Sequence, residues 1–293
     1  MPEGVPPLPG PTTVVAVVTT FHPEPGLVDR LGLLPGQVSR ILIVDNGSLE
    51  SEQAEIRALA DRADFSVIWN DTNVGLAAAL NQGLGWASAL GASWVLLLDQ
   101  DSVPGSEVVA EAARVVGIVP TGLVAALGSG IVGRDHGGSA GDADWREERA
   151  VITSGTIVSV EAWRKLDGFR RDFFVDYVDL EFCLRARAAG YRVLRSLRPT
   201  IEHAIGHPER HRLLWRTVTA TNHSRQRRYE ITRNRMVVWR TYWRREPAFV
   251  ASDGVGFVKE LVKVALFESD RRAKLQAIAT GVRDAFRQSL QLG

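Results

Sequence analysis

Four short runs of apolar and β-branched residues, at 14–20, 41–44, 65–69 and 94–98, constrain the fold more than any other feature of the chain. None contains a charged residue, and none alternates polar with apolar positions. A strand without a polar face must be covered on both sides. Helix-period patterns lie between the runs, near residues 26–34, 51–62 and 76–90. Strand and helix in alternation imply an α/β fold with a mostly parallel central sheet and helices on both faces. Further along, the pattern predicts a helix at 104–116, a strand at 151–160 and a helix at 178–189 closed by Gly190. Short strands follow at 191–194 and 200–201, and the pattern is helical from 209 to the end. The Gly-, Ser- and Asp-rich segment 133–145 reads as a long loop. The division expected is a flexible tail over 1–12, one α/β domain over 13–208 and a helical extension over 209–293.

In such sheets ligands bind beyond the carboxyl ends of the strands. Polar residues stand at all four ends: Thr19 and Thr20; Asp45-Asn46-Gly47-Ser48; Asn70-Asp71-Thr72-Asn73; Asp99-Gln100-Asp101-Ser102. Turn formation accounts for Gly47 and Asn70. It accounts poorly for carboxylates on both sides of Gln100. Asp99 and Asp101, at i and i+2 as the chain leaves a buried strand, can turn toward one hard divalent cation, Mg²⁺ or Mn²⁺. Such an ion offsets the charge that develops on a departing diphosphate.

A second acidic group is Asp176-Tyr177-Val178-Asp179-Leu180-Glu181. On a helix beginning near Val178, Asp179 falls in the first turn, where the helix dipole favours a carboxylate. It is a candidate base for an acceptor hydroxyl. Capping explains Asp176 and Asp179 equally simply, and Glu181 with Arg185 matches an ordinary i, i+4 pair. His203, after a short strand, is either a further metal or diphosphate contact or a structural histidine.

Gly128-Ser129-Gly130-Ile131-Val132-Gly133 has the spacing of a dinucleotide fingerprint, but the residues after it will not hold the helix that such a site needs. No phosphate loop of Walker type and no Cys/His zinc spacing is present. Net charge is +1 overall, yet residues 209–245 hold eleven arginines against two glutamates, leaving −8 for the rest. The whole molecule is therefore no general polyanion binder, and nucleic acid is not an expected partner. The arginine-rich segment is a candidate surface for phosphate or lipid. Its Met236, Trp239 and Trp243 share one helical face that suits either a membrane interface or internal packing. Cys183 is the single cysteine, so no intrachain disulfide can form.

Taken together, these pieces resemble the family 2 glycosyltransferases, and within them the bacterial rhamnosyltransferase-like group. The matching stretches begin with Val17-Val18-Thr19-Thr20-Phe21-His22-Pro23, Ile43-Val44-Asp45-Asn46-Gly47-Ser48, residues 73–83, Leu98-Asp99-Gln100-Asp101-Ser102 and Ser154-Gly155. Residues 174–185, His203-Ala204-Ile205-Gly206 and Arg228-Tyr229-Glu230-Ile231-Thr232-Arg233-Asn234 complete them. The resemblance implies a GT-A nucleotide-diphospho-sugar transferase fold and an inverting hexosyl transfer, best matched by rhamnose from dTDP-rhamnose. It implies that Asp45 accepts from the pyrimidine base, that Thr19 and Asn73 line the nucleotide pocket, and that Asp99 holds ribose or metal. Asp101 and His203 would hold Mg²⁺ or Mn²⁺, and Asp179 would be the base. Ser154, Gly155, Asp176 and Glu181 are candidate acceptor or sugar contacts. Where the family often has two aromatics this chain has Tyr229-Glu230, and no role for Arg228, Arg233 or Asn234 follows from the sequence. The partners implied are a dTDP- or UDP-sugar donor and a saccharide or lipid-linked saccharide acceptor of cell-wall or polysaccharide synthesis. Peripheral membrane contact, a homodimer and a cytoplasmic location complete the expectation. The alternatives are a UDP-sugar donor such as UDP-galactofuranose, and a nucleotide-sugar-binding protein without turnover.

Overall fold

The computed structural model describes residues 5–133, 143–203, 209–213, 216–220 and 222–287. The chain divides into two compact units. One comprises Met1–Phe174 and Val178–Ala204, the other Val175–Tyr177 and Ile205–Gly293.

The four apolar runs are the strands β1 (Val14–Thr20), β2 (Arg40–Asp45), β3 (Phe65–Trp69) and β4 (Trp94–Asp99). They lie side by side in the order β3-β2-β1-β4, all parallel. Val14, Ala16, Val17, Val18, Leu42 and Leu96 have no exposed surface, as coverage on both faces requires. Between them run α1 (Leu27–Arg30), α2 (Ala54–Ala60) and α3 (Leu76–Ala89). The first is much shorter than the pattern 26–34 suggested. Gly32 turns back onto the Asp29 carbonyl, and Pro35 follows, so the helix ends after one turn.

Beyond β4 the sheet changes character. After β5 (Ser102–Pro104) and α4 (Val108–Val116) come β6 (Val124–Ile131), β7 (Trp145–Glu147) and β8 (Thr156–Ser159), followed by α5 (Val160–Lys165), α6 (Val178–Ala188) and β9 (Arg192–His203). The order continues β4-β8-β6-β9-β5, with β7 also on β9. Here β8 runs antiparallel to both β4 and β6, while β6 and β9 are parallel. The parallel half is thus joined to a mixed half. β9 is one strand where two short ones were expected. Pro199 interrupts the sequence pattern, but it stands opposite Gly130 at a register shift, where a missing N–H is tolerated.

That pairing also explains the false fingerprint. A Cβ on Gly130 would stand 2.2 Å from the Arg198 carbonyl oxygen, and one on Gly128 would stand 2.7 Å from Val151 Cγ1. These glycines serve strand approach inside the sheet, not a phosphate. Much of the long loop read at 133–145 lies outside the described residues.

Pro6–Leu8, part of the expected tail, are held against the domain. Trp94 Nε1 donates to the Pro7 carbonyl at 2.6 Å, Thr121 Oγ1 to Pro6 at 2.6 Å, and Thr13 Oγ1 to Leu8 at 2.9 Å.

The second unit opens with a surprise for the helical reading of 209–220. This stretch is an antiparallel hairpin of β10 (Glu209–Leu213) and β11 (Arg216–Ala220). The β-branched run Thr217-Val218-Thr219 is the signal that the arginine count obscured. Helices α7 (Arg225–Tyr242), α8 (Pro247–Phe267) and α9 (Arg271–Arg287) follow. Ser224 caps α7 by accepting from the Arg227 N–H at 3.2 Å. Met236 is buried, and Trp239 donates to Asp253 at 2.8 Å while meeting Phe257 edge-on. The face whose composition suited a membrane is therefore packed inside the unit, and Trp243 alone of its three residues is exposed.

Candidate active site

Strand register sets the first part of the site. β1 lies between β2 and β4, so Thr20 pairs with Asp45 on one side and Thr19 with Asp99 on the other. Asp45 is completely buried. Its carboxylate accepts from Thr20 Oγ1 at 2.9 Å, from Ser48 Oγ at 2.6 Å and N–H at 3.1 Å, and from Gln53 Nε2 at 3.4 Å. Asp45 thereby braces the turn after β2, with Gln53 the longest of its four contacts. Ser48 Oγ also receives the His22 N–H at 2.9 Å, tying the end of β1 to the same turn.

The next turn is built on amides. Asn46 Nδ2 donates to Asn73 Oδ1 at 2.9 Å, and Asn46 Oδ1 receives the Val74 N–H at 3.0 Å. Asn73 Oδ1 also receives the Gly75 N–H at 2.9 Å. Asn70 and Gln82 exchange two amide bonds at 2.9 and 3.0 Å. Gly47, at φ +87°, lets this turn press on the next, since a Cβ there would stand 2.7 Å from the Thr72 carbonyl carbon. Asn73 is thus a half-buried residue whose oxygen is already engaged.

Asp99 and Asp101 leave β4 half-buried, on a turn pinned from two directions. Gln100 Oε1 accepts the Phe21 N–H at 2.8 Å, and the Gln100 carbonyl accepts Arg30 Nε at 2.8 Å. Arg30 also holds the carbonyls of Pro25 and Glu24 at 3.0 and 2.9 Å. Neither Arg30 nor Gln100 carried a sequence signal for this duty. Next along, Ser102 pairs in register with His203, bringing the end of β9 beside the Asp99–Asp101 turn.

The Ser102 hydroxyl, fully buried, is hydrogen-bonded to the hydroxyl of Ser154. This contact joins the two acidic groups. Gly155 N–H donates to the Leu97 carbonyl at 2.8 Å, fixing the 153–155 loop on β4. One residue before Ser154, the Thr153 N–H donates to Asp179 Oδ2 at 3.1 Å, and Leu180 N–H donates to Oδ1 at 2.8 Å. Ser154 and Gly155 are therefore buried residues between the Asp99–Asp101 turn and Asp179.

Glu181 is buried and pairs with Arg185 at 2.9 Å, and Arg185 also donates to the carbonyls of Leu166 and Gly168. This i, i+4 pair secures a turn. Behind Asp179 lies a small apolar pocket lined by Val151, Phe169, Phe182 and Cys183. Burial, with the Asp179 and Glu181 charges adding to it, pushes the Cys183 thiol up to about 12, so it stays protonated and is no nucleophile.

Residues 175–177 lead directly into α6 and belong to the helical unit. Asp176 and Tyr177 adopt left-handed conformations in succession, at φ 59° and 64°. Without glycine such a backbone costs on the order of 1–2 kcal/mol per residue, so other contacts must hold it. Asn234 Nδ2 donates to the carbonyls of Val175 and Asp176 at 2.9 and 3.0 Å. Arg227 pairs with the Asp176 carboxylate at 2.9 Å, and Arg235 Nε donates to the Tyr177 hydroxyl at 2.6 Å. Asp176 is thus an ion-pair anchor. The Arg228–Asn234 motif acquires the role it lacked. Asn234 clamps this corner, Arg233 holds the Asn234 oxygen at 2.9 Å, and Arg228 pairs with Glu260 and Glu268. Tyr229 and Glu230 are framework too, bonded to Asp284 and Arg233.

Residues 17–127 match the model of glycosyl transferase family 2. The chain carries a family 2 glycosyltransferase domain. A relative of this glycosyltransferase, the dTDP-rhamnosyl transferase RfbF of Shigella flexneri, is 28% identical over 214 residues, 67% of this chain and 70% of that protein. Among solved structures, S. aureus TarS 1–349 in complex with UDP-GlcNAc superposes with a TM-score of 0.55 at 16% identity, covering 94% of this chain and 73% of that one. The mannosyltransferase PcManGT from Pyrobaculum calidifontis, in complex with GDP-Man and Mn²⁺, gives 0.58 at 16% identity, covering 98% and 79%. These likenesses identify the fold of this glycosyltransferase as GT-A. Among the described residues no three or more His, Cys, Asp or Glu side chains gather as a self-sufficient metal cage. Two carboxylates on one turn still suit a hard ion that takes its remaining ligands from water and substrate phosphate. No helix among the described residues is long and apolar enough to cross a membrane.

Proposed function

We propose that this glycosyltransferase transfers rhamnose from dTDP-rhamnose to a hydroxyl of a bacterial saccharide, free or lipid-linked, with inversion at the anomeric carbon. One observation carries the reading. The Ser102–Ser154 hydrogen bond and the Thr153 N–H bond to Asp179 tie the Asp99–Asp101 turn and Asp179 to one short loop. The dTDP-rhamnosyl transfer of the 28% identical relative supports rhamnose as the sugar.

In this reading Asp99 and Asp101 hold Mg²⁺ or Mn²⁺ on the donor side, with His203 of the adjoining strand end as a candidate further ligand. When bound, the ion supplies positive charge against the diphosphate as its bond to the sugar breaks. Thr19 and Asn73 line the nucleotide side, and Asp45 keeps the intervening turn in shape. Asp179 sits on the acceptor side. Its carboxylate, oriented by two backbone N–H groups, takes the proton of the acceptor hydroxyl as that oxygen bonds to the anomeric carbon. The dTDP leaves from the opposite face, which inverts the configuration.

A donor panel with purified protein and Mg²⁺ tests this. Turnover of dTDP-rhamnose, with release of dTDP, is the expected result. Turnover of UDP-galactofuranose alone would remove rhamnose and leave the transferase class intact. Donor binding without release of any nucleoside diphosphate, across a broad acceptor set, would overturn catalysis in favour of a carrier.

A further inference from the structure

The charge of α8 is sorted by face. Its two acids turn inward: Asp253 accepts from Tyr177, Trp239 and Arg235, and Glu260 from Arg228 and Arg235. On the same inner side Val264 is fully buried. The opposite face carries Val255, Val258, Val262 and Leu266, which remain 57%, 59%, 49% and 62% exposed. Their spacing of three, four and four residues makes them one continuous stripe. Four large aliphatic side chains left about half or more in water on one helix face mark a surface that something covers.

The surroundings of the stripe say what. Its exposed neighbours on the helix between Ala251 and Leu266 are Ala251, Ser252, Gly256 and Lys259, with no acid among them. Past its carboxyl end Arg271 folds back to the Ala265 carbonyl at 3.5 Å, beside Leu266, and Arg272 is exposed next to it, against one exposed acid, Asp270. Ahead of the helix stand exposed Trp243, Arg244 and Arg245, the Arg244 guanidinium 4.9 Å from the Trp243 ring. Apolar residues in the middle, cations along the edge and a tryptophan at one end form the pattern of a helix lying in a headgroup layer. A second copy fits less well. Antiparallel pairing of the stripe on itself, centred between Glu260 and Leu261, would bring the two Lys259 ammonium groups within about one helical turn of each other, with no acid on the exposed face to separate them.

We infer that the outer face of α8 seats this protein on an anionic lipid surface, its aliphatic stripe in the headgroup layer and its flanking cations on lipid phosphates. From Val255 to Leu266 the stripe runs about 17 Å along the helix. Neither the donor nor the sugar enters into this contact.

The test is co-sedimentation of the full chain with vesicles of phosphatidylcholine alone, or with about one third phosphatidylglycerol. Binding to the anionic vesicles that weakens as salt rises is expected. The double variant Val258→Asp/Val262→Asp is expected to weaken it at least roughly tenfold, and Lys259→Glu to weaken it less. Val258→Ser/Val262→Ser serves the same purpose should the charged pair fail to fold. No binding to anionic vesicles, or binding unchanged in a folded double variant, overturns the inference. So does a stable dimer in solution that the same variant dissociates. No sugar is used, so either outcome leaves the transferase assignment to its own experiment.

Discussion

Each of the two units of this protein is held together internally, and by opposite means. In the sheet unit the parallel strands bury long aliphatic runs, and the acids Asp45 and Asp99 stand at the strand ends, where the candidate site lies. In the helical unit charges lie inside. Arg228, Glu268 and Lys274 are buried and bonded in series, with Arg235, Glu260 and Asp253 beside them. Burying ions is expensive unless every partner is in place, so such a network gives little net stability but enforces one arrangement. The difference teaches where each unit is vulnerable. The sheet unit tolerates change at its tips and loses chemistry. The helical unit loses structure when a single interior charge is removed.

Substitutions can break that contrast or sharpen it. The largest effect is expected at a tip of the sheet unit. Asp179→Asn should lower turnover by about 10²–10⁴-fold, the range of general-base catalysis, with the thermal midpoint barely moved. A large loss of stability instead would make Asp179 framework. Next, Glu268→Ala should cost on the order of 3–5 kcal/mol in denaturant unfolding, because Arg228 and Lys274 are left buried without their partner. A cost below about 1 kcal/mol, the ordinary surface-pair value, would deny the network its role.

Asn234→Ala removes the two hydrogen bonds that clamp the left-handed Asp176–Tyr177 pair and should cost on the order of 1–3 kcal/mol in denaturant unfolding. No measurable loss would show that other contacts hold that backbone. The smallest effect concerns pH. His223 is half-buried near Arg227 and Arg228, and burial with those cations lowers its pKa below the ordinary 6.5. The unfolded chain therefore binds a proton at higher pH than the folded one does. Stability should fall as pH drops through about 6.5, and level off below the lowered folded value. His223→Gln should flatten that slope in unfolding curves taken between neutral and mildly acidic pH.

What the sequence revealed follows the same division. β1 to β4 were legible because a strand buried on both faces leaves no polar position, and Asp99 and Asp101 because turn chemistry does not require two acids. The mixed half was read less well. Pro199 split β9 into two expected strands, and only the register shift opposite Gly130 shows why a proline is tolerated there. The long-range contacts within each unit were invisible for a plainer reason. Arg30 to Gln100 and Ser102 to Ser154 in the sheet unit, and Asn234 to Val175 in the helical unit, join residues far apart in the chain, and no periodicity encodes such pairs. Composition misled at 209–220, where arginines masked strand-forming threonines and valine, and at 236–239, where an amphipathic face proved to be packing. Asp45 and Asp176 each hold partners that no sequence pattern encodes.

Everything proposed for the chemistry depends on one site with a donor side at Asp99–Asp101 and an acceptor side at Asp179. Calorimetric titration of dTDP, with and without Mg²⁺, into Asp101→Ala and Asp179→Asn tests it most directly. Asp101→Ala is expected to lose the Mg²⁺-dependent part of the affinity, while Asp179→Asn binds dTDP as the unaltered protein does yet loses nearly all sugar transfer. Mg²⁺-dependent binding that survives Asp101→Ala, or that disappears in Asp179→Asn, would contradict this division of the site.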